Sequence, residues 1–128
     1  MKEVKQFIIL RTDLNMSIGK SSAQASHASS KIFFDRMSLN EYSSVCSFVA
    51  TEEDLLWIKG MYTKIVKKVK NENQLLKVYQ QAIDLGLNAS LIKDAGLTEL
   101  QGENYTAVAI GPHYVDKMEV VVKKLQNL

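Results

Sequence analysis

Two hydrophobic periods alternate along this chain, and their alternation restricts the fold more than any other feature. Residues 5–11, KQFIILR, form an unbroken β-rich run, the pattern of a buried strand. A polar, turn-like stretch follows. From near Gly19 to Met37 the sequence is rich in Ala and Ser and has no proline, and Ala23, Ala25, Ala28, Ile32 and Phe33 can pack closely on a sheet, so a helix is predicted. Residues 38–50 carry no clear period and read as a loop with room for one short strand. Thr51 to Asp54 opens a short helix with acidic residues in its first turn, and Gly60 ends it. The β-branched run YTKIVKKVK, 62–70, makes a second strand. Asn71 caps a helix to about Leu85, with Leu75, Leu76, Tyr79, Ala82 and Ile83 at helical spacing and Gly86 as the stop. Residues 88–93 and 105–111 are a third and a fourth strand, joined by DAGLTELQGEN, long for a hairpin. A last helix runs from Val115 to about Leu125. The order βαβαββα predicts a three-layer α/β/α fold on a mixed four-stranded sheet, largely parallel with an antiparallel pair at strands three and four. At this length one domain over residues 1–128 is expected.

Cys46 is the only cysteine, so no internal disulfide and no thiolate cluster for a metal can form. No metal and no other cofactor is expected, and a reducing cytoplasm fits. The longest N-terminal apolar run, Phe7-Ile8-Ile9-Leu10, falls far short of the roughly 20 residues that span a bilayer, so a soluble chain without membrane association is expected. A formal net charge of +2 permits nucleic-acid binding without requiring it, and local clusters must carry that argument.

Two segments carry chemistry. The first is RTDLNMSIGKSSAQASHASS, residues 11–30. A strand, a loop and then Gly-Lys-Ser invites comparison with a phosphate-binding loop, but the glycine required five residues before Gly19 is replaced by Leu14, so that reading fails. Lys20, Gln24, His27 and Lys31 fall within roughly 60° of one another on a helix and form one polar stripe. A cation near a helix N-terminus opposes the dipole at a cost of about 0.3–1 kcal/mol, a placement that makes sense if an anion docks there. The plainer alternative is a solvated helix face. The second segment is Asp94-Ala95-Gly96-Leu97-Thr98 at the end of a strand, where α/β sheets tend to bind ligands. An Asx turn helped by Gly96 is its structural role, and the two roles are compatible.

RTDLNMSIGKSSAQASHA, DAGLTEL, Thr106 and AIGP together resemble, in order and spacing, the signature segments of the second-type peptidyl-tRNA hydrolases. The resemblance covers residues 5–30 and 57–127. It implies a compact α/β fold, commonly a homodimer, that hydrolyses peptidyl-tRNA without a metal. It also implies catalytic roles for Lys20, Asp94 and Thr98, and substrate-binding roles for Gln24, His27 and Thr106; Arg11 and Asp13, which open the first segment, are grouped with the latter. For the tRNA, Lys31, Lys64 and Lys67 are the selected contacts, from a wider set that includes Lys59, Lys68, Lys70, Lys117, Lys123 and Lys124. Strand alternation sends Lys67 and Lys68 to opposite faces, so not all of these serve one patch. The chain departs from the family pattern at Ile18, where a lysine is usual, at Leu97, where an arginine is usual, and at Glu99, where a glutamine is usual. Residues 38–56 match the family poorly. Two readings stand: a peptidyl-tRNA hydrolase, favoured by Lys20, Asp94 and Thr98, or a non-catalytic RNA- or protein-binding relative, favoured by Leu97 and Glu99.

Overall fold

In a computed structural model that describes residues 2–128, the central strand β1 (Val4–Arg11) is the KQFIILR run. It is flanked on both sides, by β6 (Asn104–Tyr114) and β4 (Lys64–Val69), which accounts for its unbroken burial. β5 (Ala89–Asp94) lies outside β6, and β7 (Gln126–Asn127) outside β4, giving the order β5-β6-β1-β4-β7. The sheet therefore has five strands rather than the expected four. The fifth arises because the last helix, α4 (Val115–Val122), ends before Leu125 and the chain turns back along β4. Only β1 and β4 run parallel; the other three pairings are antiparallel, so the expectation of a largely parallel sheet is corrected. A short hairpin, β2 (Ser38–Asn40) with β3 (Val45–Ser47), occupies the stretch without a clear period, and both strands are exposed.

Helices cover both faces, as the α/β/α layering requires. Alternation along β1 sends Ile8 and Leu10 against Ala28 and Ile32 of α1 (Ile18–Phe34). Phe7 and Ile9 go the other way, against Leu75, Val78 and Ala82 of α3 (Glu72–Asp84) and Met118, Val121 and Val122 of α4. Each large apolar side chain removed from water in these layers contributes about 1.5–3 kcal/mol. α2 (Glu52–Lys59) begins with a capping box in which Thr51 and Asp54 satisfy each other's backbone amides. Its Asp54 is fully buried and receives Arg36 Nη1 at 3.2 Å, while Trp57 stacks on Phe33 with ring centroids 5.7 Å apart.

Both parallel strands, β1 and β4, end at one sheet edge, and β5 ends there too because it is antiparallel to β6, which begins there. The N-termini of α1 and α3 start from this edge as well. Loop amides, two helix N-termini and strand-end side chains converge there, as at ligand sites of α/β sheets generally.

Candidate active site

Ser17 is the N-cap of α1, its hydroxyl accepting from Lys20 N at 3.1 Å, which fixes the first turn and starts the helix one residue earlier than Gly19. From that turn the Lys20 side chain, 11% exposed, reaches across to β5 and its loop. Its Nζ donates to Asp94 Oδ1 at 2.7 Å and to Thr98 Oγ1 at 2.6 Å. Two of the three ammonium hydrogens are thus spent within the site, and one is left to face a substrate. Because Thr98 Oγ1 accepts from Lys20, its own hydrogen is free to donate outward.

Asp94 is held on all sides. Oδ1 also accepts from Gln24 Nε2 at 3.2 Å, and Oδ2 accepts from Gly96 N at 2.9 Å. These donors, Lys20 first, hold the carboxyl below its ordinary range despite partial burial. Asp94 is therefore ionised at neutral pH and can only accept hydrogen bonds. Behind it, Thr106 donates its hydroxyl hydrogen to Gln24 Oε1, and both residues are buried. Simple alternation would aim Thr106 at the wrong face. A β-bulge corrects this: between Lys93↔Tyr105 and Ile92↔Ala107, β6 spends two residues where β5 spends one. The faces change there, so Tyr105 packs with the α3 and α4 layer and Ala107 with the α1 layer, and Thr106 is re-aimed toward Gln24.

The loop carrying Thr98 is a closed ring. At its neck Gly96 has φ +80°, and an added Cβ would stand 2.3 Å from Gly102 O, so only glycine lets the two backbones touch. Leu100 is buried and anchors the loop, and Glu99 ties its tip to α1 by accepting from Ser17 N at 3.1 Å and from the Ser17 hydroxyl. These bonds lower the Glu99 pKa. Glu99 stands out in the sequence only as a departure from the family pattern; its role depends on Ser17, 82 positions away. Ser17 itself carries a readable signal, since serine ahead of a helical run is a favoured N-cap.

The polar stripe of α1 divides. Lys20 and Gln24 enter the Asp94 group, His27 is exposed, and Lys31 turns to Asp35 with Nζ 2.7 Å from Oδ1. Arg11 and Asp13 form a separate clamp. Arg11 Nε and Nη2 donate to the two carboxylate oxygens of Asp13 at 2.9 and 2.8 Å, and Nη1 donates to Tyr105 O at 3.0 Å with Glu72 Oε1 3.5 Å away. The guanidinium lowers the Asp13 pKa. Among the described residues no hydrogen bond or ion pair joins this clamp to Lys20, Asp94 or Thr98. The three lysines selected for tRNA also lie apart. Lys64 Nζ stands 5.1 Å over the Trp57 ring on the α1 side, whereas alternation puts Lys67 on the other face with Ile65 and Val69. Among the described residues no group of three or more His, Cys, Asp and Glu is placed to hold a metal ion.

A lysine bridging a carboxylate and a hydroxyl at the end of an α/β strand is a polar centre suited to stabilising developing negative charge. Residues 4–128 match the family described as Peptidyl-tRNA hydrolase PTH2. The chain belongs to this family. A protein of Methanococcus vannielii named peptidyl-tRNA hydrolase is 36% identical over 124 residues, covering 97% of this chain and 98% of its own. A Methanocaldococcus jannaschii protein of the same name is 35% identical over 125 residues, covering 98% of this chain and all of its own. One from Sulfurisphaera tokodaii is 35% identical over 124 residues, covering 97% and 98%. The matched residues include the exposed β2–β3 hairpin, which lies in the stretch 38–56 expected to match the family poorly.

Proposed function

We propose that Lys20, Asp94 and Thr98 are the catalytic group of a peptidyl-tRNA hydrolase. The enzyme hydrolyses the ester between a peptide carboxyl and a tRNA ribose hydroxyl, releasing peptide and free tRNA, as membership of the family supports. The observation that carries the residue assignment is Lys20 Nζ between Asp94 at 2.7 Å and Thr98 at 2.6 Å.

Water must add to the acyl carbon, the ester C–O bond must break, and the ribose oxygen must leave with a proton. Asp94, ionised but of low basicity, orients the attacking water through the remaining lone pair of Oδ2, and the proton that the water gives up is the one that the ribose oxygen takes as the C–O bond breaks. The free ammonium hydrogen of Lys20 and the outward hydrogen of Thr98 bind the oxyanion that forms on the carbonyl oxygen. General acid–base assistance is typically worth about 10² to 10⁴ in rate, and one oxyanion donor about 10² to 10³. Gln24 and Thr106 hold Asp94 in place from behind. His27, exposed one turn further along α1, lies where a substrate leaving the centre along the helix would meet it.

The protein acts as a single domain, a reading supported by two core layers that share one sheet. It works in the cytoplasm, where its substrate arises; among the described residues no helix is long and apolar enough to cross a membrane. It forms a homodimer, supported by the family resemblance and by an open apolar groove of about 690 Å³ beside α1, lined by Phe33, Trp57, Ile58, Tyr62 and Val66. Sedimentation checks the dimer. The catalytic reading is tested with a large molar excess of an N-blocked aminoacyl-tRNA: multiple turnovers of ester release are expected, and binding without release would instead establish an RNA-binding relative.

A further inference from the structure

On the face of the sheet away from α1, a groove of about 640 Å³ runs between α3, α4 and the outer strands β4 and β7. Lys70, Lys77 and Lys124 line it together with Gln74 and Gln81, and no carboxylate does. In a chain of 16 basic and 14 acidic residues, three cations around one groove without an acid is an uneven distribution. None of the three is in a salt bridge among the described residues, whereas Lys20, Lys31, Lys93 and Lys117 each are. Asp13 and Glu72, which neighbour this region in sequence, both face Arg11, which offsets one of their two charges and turns both carboxylates away from the groove lining.

The groove is built by regular elements rather than by flexible tails. Gln74, Lys77 and Gln81 are three and seven residues apart on α3 and share one helix face. Gln74 is fixed by accepting from Lys70 N at 2.8 Å. Between the polar walls, Val78 and Val121 form an apolar floor. One end opens at Thr12, which follows the last residue of β1 and bonds to Val69 O. That is the sheet edge from which the turn 12–17 leads to α1 and Lys20. Groove and catalytic group thus lie on opposite faces but meet at one edge.

We infer that this groove binds the phosphodiester backbone of the tRNA body while the 3′ end reaches over the sheet edge to Lys20. This rests on the hydrolase reading above. A substrate whose scissile ester sits at the very end of a large polyanion needs an anchor distinct from the reacting centre. Mobile lysines with glutamine donors suit phosphates read without regard to base sequence. The side of the groove along α3, from Gln74 to Gln81, is about 10 Å long at 1.5 Å per residue, the length of about three nucleotide steps in one strand of a duplex. The groove therefore serves about as many phosphates as it has lysines.

Binding of deacylated tRNA, followed by fluorescence titration at several salt concentrations, tests the inference without requiring catalysis. K77Q/K124Q should weaken binding across tRNA sequences and reduce the log–log salt slope by roughly 1.5 to 2 units, about 0.9 per lost phosphate contact. K2Q/K5Q, on lysines outside the groove and paired with Asp116 and Glu3, should leave the slope near wild type. On a minimal substrate with the peptide esterified to a short 3′-terminal oligonucleotide, K77Q/K124Q should keep wild-type kcat/KM. An unchanged slope, an equal loss in K2Q/K5Q, or displacement of tRNA by millimolar inorganic phosphate alone would overturn the groove assignment. A wild-type protein that binds tRNA with the expected slope but releases no peptide would refute the hydrolase reading and leave the groove as a tRNA site.

Discussion

Replacing Asp94 with Asn keeps the shape of the side chain and removes its charge. In the native site Asp94 and Lys20 are only 10% and 11% exposed, and Asp94 accepts from Lys20, Gln24 and Gly96. The Asn oxygen can still serve Lys20 and Gln24, but its amide nitrogen then faces Gly96 N, so one hydrogen bond is lost and another loses its charge assistance. A neutral hydrogen bond is worth about 1 kcal/mol net and one to a charged group about 1.5–3 kcal/mol. The expected stability loss at neutral pH is about 1–2 kcal/mol, roughly 4–8 °C in melting temperature for a domain of this size. The sign of its pH dependence follows from the depressed Asp94 pKa. A carboxyl with a folded-state pKa below its unfolded value stabilises the fold above the unfolded value, near 3.9, and that contribution fades as pH falls through the folded value. Thermal melts of wild type and Asp94→Asn should therefore differ at pH 7, begin to approach one another near pH 4 and meet only below the folded-state pKa. Turnover on peptidyl-tRNA should fall by at least about 10². Wild-type turnover in the variant would refute the catalytic assignment, and a stability gap unchanged down to pH 2 would refute the ionic account of the site.

Leu97 is 88% exposed beside Thr98, so Leu97→Arg should leave the melting temperature unchanged and steepen the tRNA salt slope by roughly 0.7–0.9; titration and melting check both. Glu99→Gln keeps one acceptor, for Ser17 N, while its amide nitrogen can donate to the Ser17 hydroxyl oxygen, and it removes an anion next to an anionic substrate, so steady-state kinetics should show a lower KM at similar kcat. Glu99→Ala, which frees the loop tip, should lower kcat. Asp54→Ala leaves Arg36 without its buried partner and breaks the α2 cap, so chemical denaturation should show a loss of about 3 kcal/mol or more.

Elements whose pattern is local could be read from the sequence. The KQFIILR strand, the Asn71-capped helix and the β-branched run ending at Val69 all stand where their periods put them. β7 could not be read, because two residues carry no period and its existence depends on where α4 stops and on the open edge of β4. The largely parallel sheet was misread because local pattern specifies strands but not their neighbours. Within the site, helical spacing places Lys20 and Gln24 on one side of α1. It also sets Asp35 at i+4 from Lys31, an ion pair that the stripe reading passed over, so spacing alone does not tell which stripe residue enters the site. Nor can it tell that Thr106 reaches Gln24, which requires a bulge set by pairing with β5. The Ser17–Glu99 tie and the Arg36–Asp54 pair likewise join residues far apart in sequence. The convergence of Lys20, Asp94 and Thr98 was legible only through family resemblance, since nothing in the spacing of residues 20, 94 and 98 requires them to meet.

Single-turnover and steady-state release of peptide from peptidyl-tRNA by Lys20→Ala, set beside wild type with the fold of each verified by circular dichroism, is the most direct test of the proposed centre. Removing Lys20 deletes the donor common to Asp94 and Thr98. Ester release should slow by at least about 10² in both regimes while tRNA affinity changes far less. Release at the wild-type rate from a folded Lys20→Ala protein would contradict the account.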